Sequence, residues 1–373
     1  MGNLAVLHFA PLEFYPPIQN LLRLLEQKEG ISRIEVLTTR PDNSALRAFT
    51  ASRPIAISRW GISGHQRNAL ARYWTYVYFN LGCLLLLFRK RPERILYFET
   101  LSAFPAFVYK TILKRKCSIL IHYHEYATRS EYENGMGLSK YLHRLELKLY
   151  PGAAWISHTN KFRMDMFKED ILPLKLSQDR LLPNYPPRAW NTMPKESIAF
   201  PLKVVYAGAV SMTTMFTREF AKWVVKQNGN VRWDVYTSNC TEDARLHFAS
   251  LKSPFISLKE GVDYETLPQV LRKYEVGVIL YNGHIPNYVF NAPNKLFEYL
   301  ACGLAVWFPS VMAGSLPYRT EGTYPEVVAM DFINLEIVNP KDLMNRSGRE
   351  VKPASFWCED ALEELIHAIL KND

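Results

Sequence analysis

The chain has 373 residues, of which 48% are hydrophobic and 22% are charged. This length and composition exclude a disordered segment and a small disulfide-held domain, and they predict two globular domains of ordinary size. The formal net charge of +9 is concentrated in residues 1–190, where 27 Lys and Arg oppose 15 Asp and Glu.

Short β-branched runs alternate with amphipathic stretches in the first half, a pattern typical of βα units on a parallel sheet. The N-terminal residues have neither a basic leader nor a small-residue cleavage site, so we expect a first strand there and no signal peptide. The predicted strands are 4–10, 33–39, 94–99, 117–124 and 153–158, and the predicted helices include 18–27 and 138–150.

The segment 73–88, YWTYVYFNLGCLLLLF, is apolar and is followed by the basic sequence RKR. It has 16 residues and contains Asn80 and Gly82, whereas a membrane-spanning helix needs ~20 apolar residues. We therefore expect a buried helix of the first domain, with a helix lying in a membrane interface as the alternative.

Five prolines in the segment 182–201 identify it as the linker between the two halves. In the second half, the predicted strands are 202–208, 232–237 and 275–281, and the predicted helices are 217–227, 264–274, 294–301 and 356–371.

Three domain segments follow from this division: 1–190, 191–354 and a C-terminal segment, 355–373. We expect the last segment to pack back toward the first domain. Neither half contains a GxGxxG motif or a P-loop, which argues against a nicotinamide or flavin enzyme. The five cysteines are widely spaced and form no CxxC pair, so they predict no zinc site and suggest a reducing compartment.

Polar side chains follow three predicted strands of the first half. Glu13 follows the first strand, Glu99 ends the third, and His122, His124 and Glu125 lie at the end of the fourth. Because ligands of parallel α/β sheets bind beyond the carboxyl ends of the strands, these groups can bind hydroxyls or move protons. The alternative is that Glu13 and Glu99 only cap helices.

The segment NAPNKLFEYLACG predicts a helix that starts at Pro293–Asn294 and ends before Gly303. A helix N-terminus that carries Lys295 suits a diphosphate. Glu298, one turn on, can accept hydrogen bonds from a ribose diol. On spacing alone, a surface Lys–Glu pair is the favoured interpretation.

Longer stretches carry a resemblance to a known family. The sequences VVYAGAVS, SLKEGVDYETLPQVLRKYEVGVILY and NAPNKLFEYLACGLAV, with LLPNYPPR and AAWISHTNKFRMDMF before them, resemble the retaining "group 1" (family 4) glycosyltransferases across residues 150–310. The resemblance implies an α/β GT-B fold, with two Rossmann-like domains facing each other across a cleft.

The resemblance also implies roles for individual residues. Glu298 matches the glutamate that holds the ribose hydroxyls, and His124 matches a histidine that contacts the transferred sugar. The other implied nucleotide-sugar contacts are Gly208, Ala209 and Arg218 near the diphosphate, Gly261 and Val262 near the base, and Asn291, Ala292, Pro293, Asn294 and Lys295 near the sugar and phosphates. One position departs from the family, because Phe290 stands where a glutamate that contacts the donor sugar is common.

The expected reaction moves a sugar from a nucleotide diphosphate sugar to a hydroxyl acceptor, with retention and without a metal or other cofactor. His124, Glu125 and Glu13 are the candidate catalytic residues, and Glu125 or Glu13 would act as the base if the reaction inverts. The alternatives are a sugar-nucleotide 2-epimerase, a catalytically inert nucleotide-sugar-binding partner, and a membrane-surface protein with no transfer role.

The basic first half and the apolar segment 73–88 suggest the remaining partners. We expect a glycan or lipid-linked acceptor, with an anionic membrane surface as a further partner, and no nucleic acid. A cytoplasmic protein, peripheral at the inner membrane face and acting in bacterial surface-polysaccharide assembly, fits these expectations.

Overall fold

The structure is a computed structural model that describes residues 3–42, 47–63, 68–114, 116–135, 137–176, 179–195, 198–344 and 349–371. Backbone contacts divide the chain into two compact units. The first unit comprises Met1–Asn184 together with Cys358–Asp373, and the second comprises Tyr185–Trp357.

The first unit contains a seven-stranded sheet in which all strand pairs are parallel. Its strands are β1 (Asn3–His8), β2 (Arg33–Pro41), β3 (Ile55–Ser63), β4 (Arg94–Phe98), β5 (Ser118–Tyr123), β6 (Trp155–His158) and β7 (Arg180–Leu181). The spatial order is β3-β2-β1-β4-β5-β6-β7. The direction of winding therefore reverses between β1 and β4, which is where ligands bind in sheets of this kind.

Strands β1, β4 and β5 lie at the centre of this sheet and are buried almost throughout. Strands covered on both faces read as continuous apolar runs, which is why the sequence predicted them. The helices before the linker are α1 (Pro16–Glu26), α2 (Ala69–Lys90), α3 (Ala103–Val108), α4 (Arg129–Asn134), α5 (Gly137–Leu149) and α6 (Lys161–Asp170). Asn68 and Asn160 cap the starts of α2 and α6 through their side chains.

Helix α2 contains the apolar segment 73–88, and only one of its faces is buried. Gly82 lies on the buried face, where a Cβ would overlap the ring of Trp60 on β3. Large apolar side chains cover the opposite face and are exposed. The expectation of a buried helix therefore holds for one face only. None of the helices among the described residues combines the length and the apolar composition that a membrane span requires.

The second unit contains a six-stranded parallel sheet and a separate pair of short parallel strands. Its strands are β8 (Leu202–Ala207), β9 (Val231–Thr237), β10 (Ile256–Glu260), β11 (Val276–Val278), β12 (Ala305–Pro309), β13 (Thr323–Tyr324), β14 (Val327–Met330) and β15 (Glu350–Val351). The large sheet has the order β10-β9-β8-β11-β12-β14, and β13 pairs with β15. Its winding reverses between β8 and β11, as in the first sheet.

Helices connect most of the strands of the second unit. They are α7 (Thr217–Lys226), α8 (Glu242–Leu251), α9 (Leu267–Leu271), α10 (Pro286–Val289), α11 (Asn294–Ala301) and α12 (Pro340–Leu343). After them, α13 (Cys358–Ala361) and α14 (Glu363–Leu370) belong to the first unit.

Aromatic packing explains where the chain passes between units. The first unit ends at Asn184, because Tyr185 packs on Phe297 of the second unit at 4.6 Å between ring centres, and Trp190 packs on Tyr264 at 4.7 Å. The proline-rich segment 182–201 thus belongs mostly to the second unit, with residues 196–197 outside the described part. The chain leaves the second unit after Trp357.

Candidate functional site

The carboxyl end of the second sheet brings Gly208 and Lys295 together. Gly208 follows β8 and has φ +141°, a conformation that side chains rarely adopt. A Cβ on this glycine would lie 3.0 Å from Lys295 Nζ. The lysine therefore reaches back from α11 into the space beside β8. The next residue, Ala209, accepts a hydrogen bond at its carbonyl oxygen from the Tyr206 hydroxyl, at 2.6 Å.

The Lys295 ammonium lies near two aromatic rings. Its Nζ is 5.2 Å from the centre of the Tyr206 ring and 5.5 Å from that of Tyr281, within range of a cation–π attraction. Burial lowers the pKa of Lys295, but Tyr206, Tyr281 and Glu298 more than offset this effect, so the net pKa is raised. The Lys295 side chain is therefore positively charged at neutral pH, and its ammonium lies beside the two rings.

Helix α11 begins beside this cation with no side-chain cap, because its N-cap residue is Pro293. The loop before it is fixed: Ala292 is buried, and the Asn291 carbonyl accepts a 2.8 Å hydrogen bond from Ser315 Oγ. The first N–H groups of a helix have no partner within the helix. An uncapped N-terminus next to a lysine therefore attracts an anion such as a diphosphate, with Asn294 and Lys295 in the first turn.

Glu298 lies one turn further along α11 and is almost fully buried. Within the described part of the chain its carboxylate has no hydrogen-bond partner. Burial raises the pKa of Glu298 to about 7, and the charge of Lys295 partly offsets that rise. An ionised carboxylate offers two acceptor oxygens, and a ligand can use them where the protein does not. Glu298 is thus suited to accept hydrogen bonds from ligand hydroxyls.

Gly261 and Val262 follow β10, which lies two strands from β8 in the sheet, a distance of ~10 Å at the usual strand spacing. The Gly261 N–H donates to the Thr237 carbonyl at 3.1 Å, and a Cβ on Gly261 would overlap Ser238. The structure therefore packs the backbone of this loop closely at the same carboxyl edge as Gly208.

Arg218 is the second residue of α7, the helix that follows β8, and it is exposed. Burial and, after it, the charge of Arg218 lower the pKa of His247 on α8. The guanidinium is therefore close enough to α8 to affect this histidine. Among the described residues, Arg218 forms no hydrogen bond or ion pair with Lys295 or Glu298. The role of Arg218 beside the diphosphate therefore stays a prediction from the resemblance.

In the first unit, His124 is buried directly after β5. Its ring stacks on Phe98 at 5.2 Å and meets the edge of His122 at 4.5 Å. Burial, followed by the nearby charge of Arg163, lowers the pKa of His124 to about 3. The imidazole is therefore neutral at physiological pH and can exchange hydrogen bonds with a hydroxyl.

Glu99 is the residue that organises this rim, and the helix-cap interpretation of it is wrong. Its side chain caps no helix. Instead, its carboxylate accepts hydrogen bonds from the backbone N–H groups of His124 at 2.7 Å and Glu125 at 3.3 Å. Burial raises the pKa of Glu99 to about 7, and the two backbone hydrogen bonds oppose that rise. The signal in the sequence was its position directly after the central strand β4.

The two other carboxylates of the rim differ from each other. Glu125 is exposed. Glu13 is buried, and its Oε1 pairs with Arg59 at 3.0 Å and accepts from the Phe49 N–H at 2.9 Å. Glu13 therefore links the segment after β1 to β3 and to the segment before β3. This ion pair argues against Glu13 as a proton acceptor. The Glu13 side chain does not cap the short helix Leu12–Phe14 either.

The sequence did not indicate several further buried polar groups of the first unit. His8 ends β1 and His158 ends β6, and burial lowers the pKa of both. Arg163 on α6 is buried, and its Nη1 donates to the His124 carbonyl at 2.5 Å and to Thr159 Oγ1 at 2.9 Å. The available signal was a histidine at the carboxyl end of several buried strands.

No protein-family model matches this sequence, and no curated protein matches it. Solved structures match its fold over nearly the whole chain. Sucrose-phosphate synthase from Thermosynechococcus elongatus has a TM-score of 0.64 at 14% identity, covering 99% of this chain and 95% of that one. The lipopolysaccharide outer core galactosyltransferase WaaB, solved in its apo form, has a TM-score of 0.60 at 10% identity, covering 98% and 99%.

A third solved structure is that of an epimerase and not of a transferase. UDP-GlcNAc 2-epimerase from Neisseria meningitidis, solved with UDP-GlcNAc bound, has a TM-score of 0.58 at 10% identity and covers 100% of both chains. These likenesses, with the two parallel sheets, confirm the predicted fold class: two Rossmann-like units of the GT-B fold. At these identities they show the fold alone.

Proposed function

We propose that the chain is a glycosyltransferase that moves a sugar from a nucleotide diphosphate sugar to a hydroxyl acceptor. The observation that carries the proposal is the group at the carboxyl end of the second sheet. There Lys295 fills the space left by Gly208, α11 begins without a cap, and Glu298 lies one turn on. A cation, free N–H groups and a buried acceptor match a diphosphate followed by a ribose.

The proposed chemistry depends on stabilising the leaving group. Negative charge grows on the diphosphate as the bond from the sugar breaks. The N-terminus of α11 and Lys295, already held by Tyr206 and Tyr281, would stabilise that charge without reorganising. Since these groups supply the positive charge, we propose that transfer needs no metal, and that activity persists in excess EDTA.

The first unit would supply groups that act on the sugar and the acceptor. Neutral His124, aligned by Glu99, suits a hydrogen bond to a sugar hydroxyl. In a retaining reaction, the leaving phosphate takes the acceptor proton; in an inverting one, exposed Glu125 would be the base. We propose retention. An inverted linkage in the product, measured by NMR, would contradict it.

For the acceptor, we propose a lipid-linked glycan of bacterial surface-polysaccharide assembly, used by a cytoplasmic enzyme at the inner membrane face. The likeness to a lipopolysaccharide galactosyltransferase and the basic charge of residues 1–190 support this choice. Transfer to lipid-linked acceptors, compared with transfer to free sugars, is the assay that tests it.

Binding of the nucleotide gives the most direct test. Replacing Glu298 with Ala should weaken UDP binding at least about tenfold, because a pair of hydrogen bonds to a charged acceptor is lost. Isothermal titration calorimetry measures this effect. Glu321→Ala, at an exposed position of the same unit, is the control and should bind as the wild type does. Unchanged affinity of Glu298→Ala would remove Glu298 from the site.

The likeness to an epimerase keeps a second function open. An epimerase would convert UDP-GlcNAc to its 2-epimer with no acceptor present, which NMR of the nucleotide sugar detects. That product would overturn the transferase proposal. UDP binding without transfer, epimerisation or donor hydrolysis across a panel of nucleotide sugars would instead point to an inert binding partner.

A further inference from the structure

The outer face of α2 carries a stripe of exposed apolar side chains. Large side chains recur along it at spacings of three and four residues, which puts them on one side of the helix. They are Leu70, Trp74, Tyr78, Leu81, Leu85 and Phe88. We call this set the α2 stripe. From its first to its last residue it extends ~27 Å along the helix.

The side chains of the α2 stripe do not belong to the core of the first unit. The opposite face of the helix already supplies the packing, because Phe79, Cys83 and Leu87 are fully buried there. A helix that is apolar on all sides is normally enclosed by protein. A contiguous apolar face left open marks an interaction surface.

Basic residues flank the α2 stripe at both ends. Arg72 lies near its start, and Arg89 and Arg91 follow its end; all three are exposed. Within the described residues, none of the three forms an ion pair. Between residues 73 and 88 there is no charged side chain. The surface is thus an apolar band with cations at its borders.

A neighbouring short helix extends the surface at the C-terminal end of α2. The Tyr109 hydroxyl donates to the Pro92 carbonyl at 3.2 Å, and Lys114 Nζ donates to the Arg91 carbonyl at 3.3 Å. The π-helix between them, Tyr109–Leu113, exposes Ile112 and Leu113. Apolar and basic side chains therefore meet again next to the end of the stripe.

Charge identifies the kind of partner. Residues 43–92 contain eight Lys and Arg and no Asp or Glu, and of these cations Arg59 and Lys90 form ion pairs with Glu13 and Glu35. A second copy of the same face would repel this charge. Tyrosine and tryptophan suit a boundary between water and hydrocarbon. Trp74 and Tyr78 occupy the N-terminal half of the stripe, and exposed Tyr73 lies next to them in the sequence.

We propose that the α2 stripe docks on an anionic lipid bilayer, with α2 lying in the plane of the interface. The apolar side chains enter the boundary between headgroups and acyl chains, and the flanking arginines bind the lipid phosphates. The proposal rests on the proposed function only for its purpose, which is to bring the enzyme to a lipid-linked acceptor.

Vesicle sedimentation of the full chain tests the docking surface. We expect binding to phosphatidylcholine vesicles that contain phosphatidylglycerol, weakened by salt, and little binding to phosphatidylcholine alone. Leu85 and Leu246 are matched helical positions, 65% and 63% exposed. Leu85→Glu should reduce the vesicle affinity at least about tenfold, while Leu246→Glu on α8 should leave it unchanged.

Three results would overturn the proposal. The first is no binding of the wild type to anionic vesicles, and the second is equal binding by Leu85→Glu. The third is a wild-type dimer, measured by light scattering, that Leu85→Glu converts to a monomer without any vesicle binding, because the stripe would then be a self-association face. UDP affinity is measured separately, so failure of docking and failure of the proposed transfer are distinguishable.

Discussion

At the scale of single residues, Glu99 combines an unusual backbone with an unusual carboxylate. Its φ of +62° and ψ of 153° fall in a region that is nearly restricted to glycine, at a cost of ~1–3 kcal/mol. The backbone N–H groups of His124 and Glu125 hold its carboxylate. Strain of this kind persists at functional sites, where surrounding contacts impose it. We infer that Glu99 positions the segment that carries His124.

The raised pKa of Glu99 makes a prediction about stability and pH. Because the folded state binds the Glu99 proton more tightly than the unfolded state, the stabilisation is complete below about pH 4.5 and is lost as the pH rises toward 7. Between pH 5 and 8, the unfolding free energy of the wild type should fall by about 1–3 kcal/mol relative to Glu99→Gln. The side chain keeps 23% of its surface exposed, which favours the lower end.

Urea denaturation at both pH values measures this difference. Titration of other groups cancels, because both proteins contain them. A constant difference between wild type and variant would show that Glu99 has an ordinary pKa.

At the scale of elements, α11 is positioned by one glycine and one tyrosine. The Tyr299 ring lies against Gly277 of β11, where a Cβ would overlap it. The Tyr299 hydroxyl accepts a hydrogen bond from the Ala207 N–H at 3.1 Å, at the end of β8. Through these contacts Tyr299 sets the distance from α11 to both strands. The approach of Lys295 to Gly208 therefore depends on packing beneath the site.

Replacing Gly277 with Ala should destabilise the second unit by about 3 kcal/mol, because the buried ring has no space to move. UDP binding should weaken as well, since α11 shifts away from β8. Thermal unfolding and calorimetry measure the two effects. Gly152→Ala is the control, because nothing lies within 4 Å of its added Cβ. Wild-type stability in Gly277→Ala would contradict the proposed role of this packing.

At the scale of the whole molecule, the chain ends in the unit where it begins. Leu365 of α14 is fully buried, and Leu370 lies 3.8 Å from the Cβ position of Gly30. The Lys371 carbonyl accepts a hydrogen bond from Arg94 at the start of β4. The last segment is therefore part of the first unit and stabilises it from the far end of the sequence.

Shortening Leu365 to Ala should cost about 2–4 kcal/mol of stability, because it leaves a cavity in the first unit. Hydrogen exchange should speed up in α1 and β4, while the protected strands of the second unit should change little. Ile337→Ala, at a position that is 87% exposed, should leave both units unaffected. If the faster exchange were confined to Tyr185–Trp357, the assignment of α14 to the first unit would be wrong.

Local pattern predicted much of the fold. The buried central strands β1, β4, β5 and β11 were found because strands covered on both faces are continuous apolar runs. Strands β3 and β10 were missed because they are edge strands, and many of their side chains are partly exposed. Strand β12 was missed because a short apolar run after a helix has no periodicity of its own.

The sequence by itself determined the α/β class, the helix that starts at Asn294, and the identity of Lys295 and Glu298 as chemically suited groups. Only the tertiary structure decided which groups meet. It brought Lys295 to Gly208 and Glu99 to His124, paired Glu13 with Arg59, and left one face of α2 open. The reason is physical: hydrophobic periodicity is a property of neighbouring residues, whereas contacts between distant strand ends depend on strand order and crossovers, which no local pattern encodes.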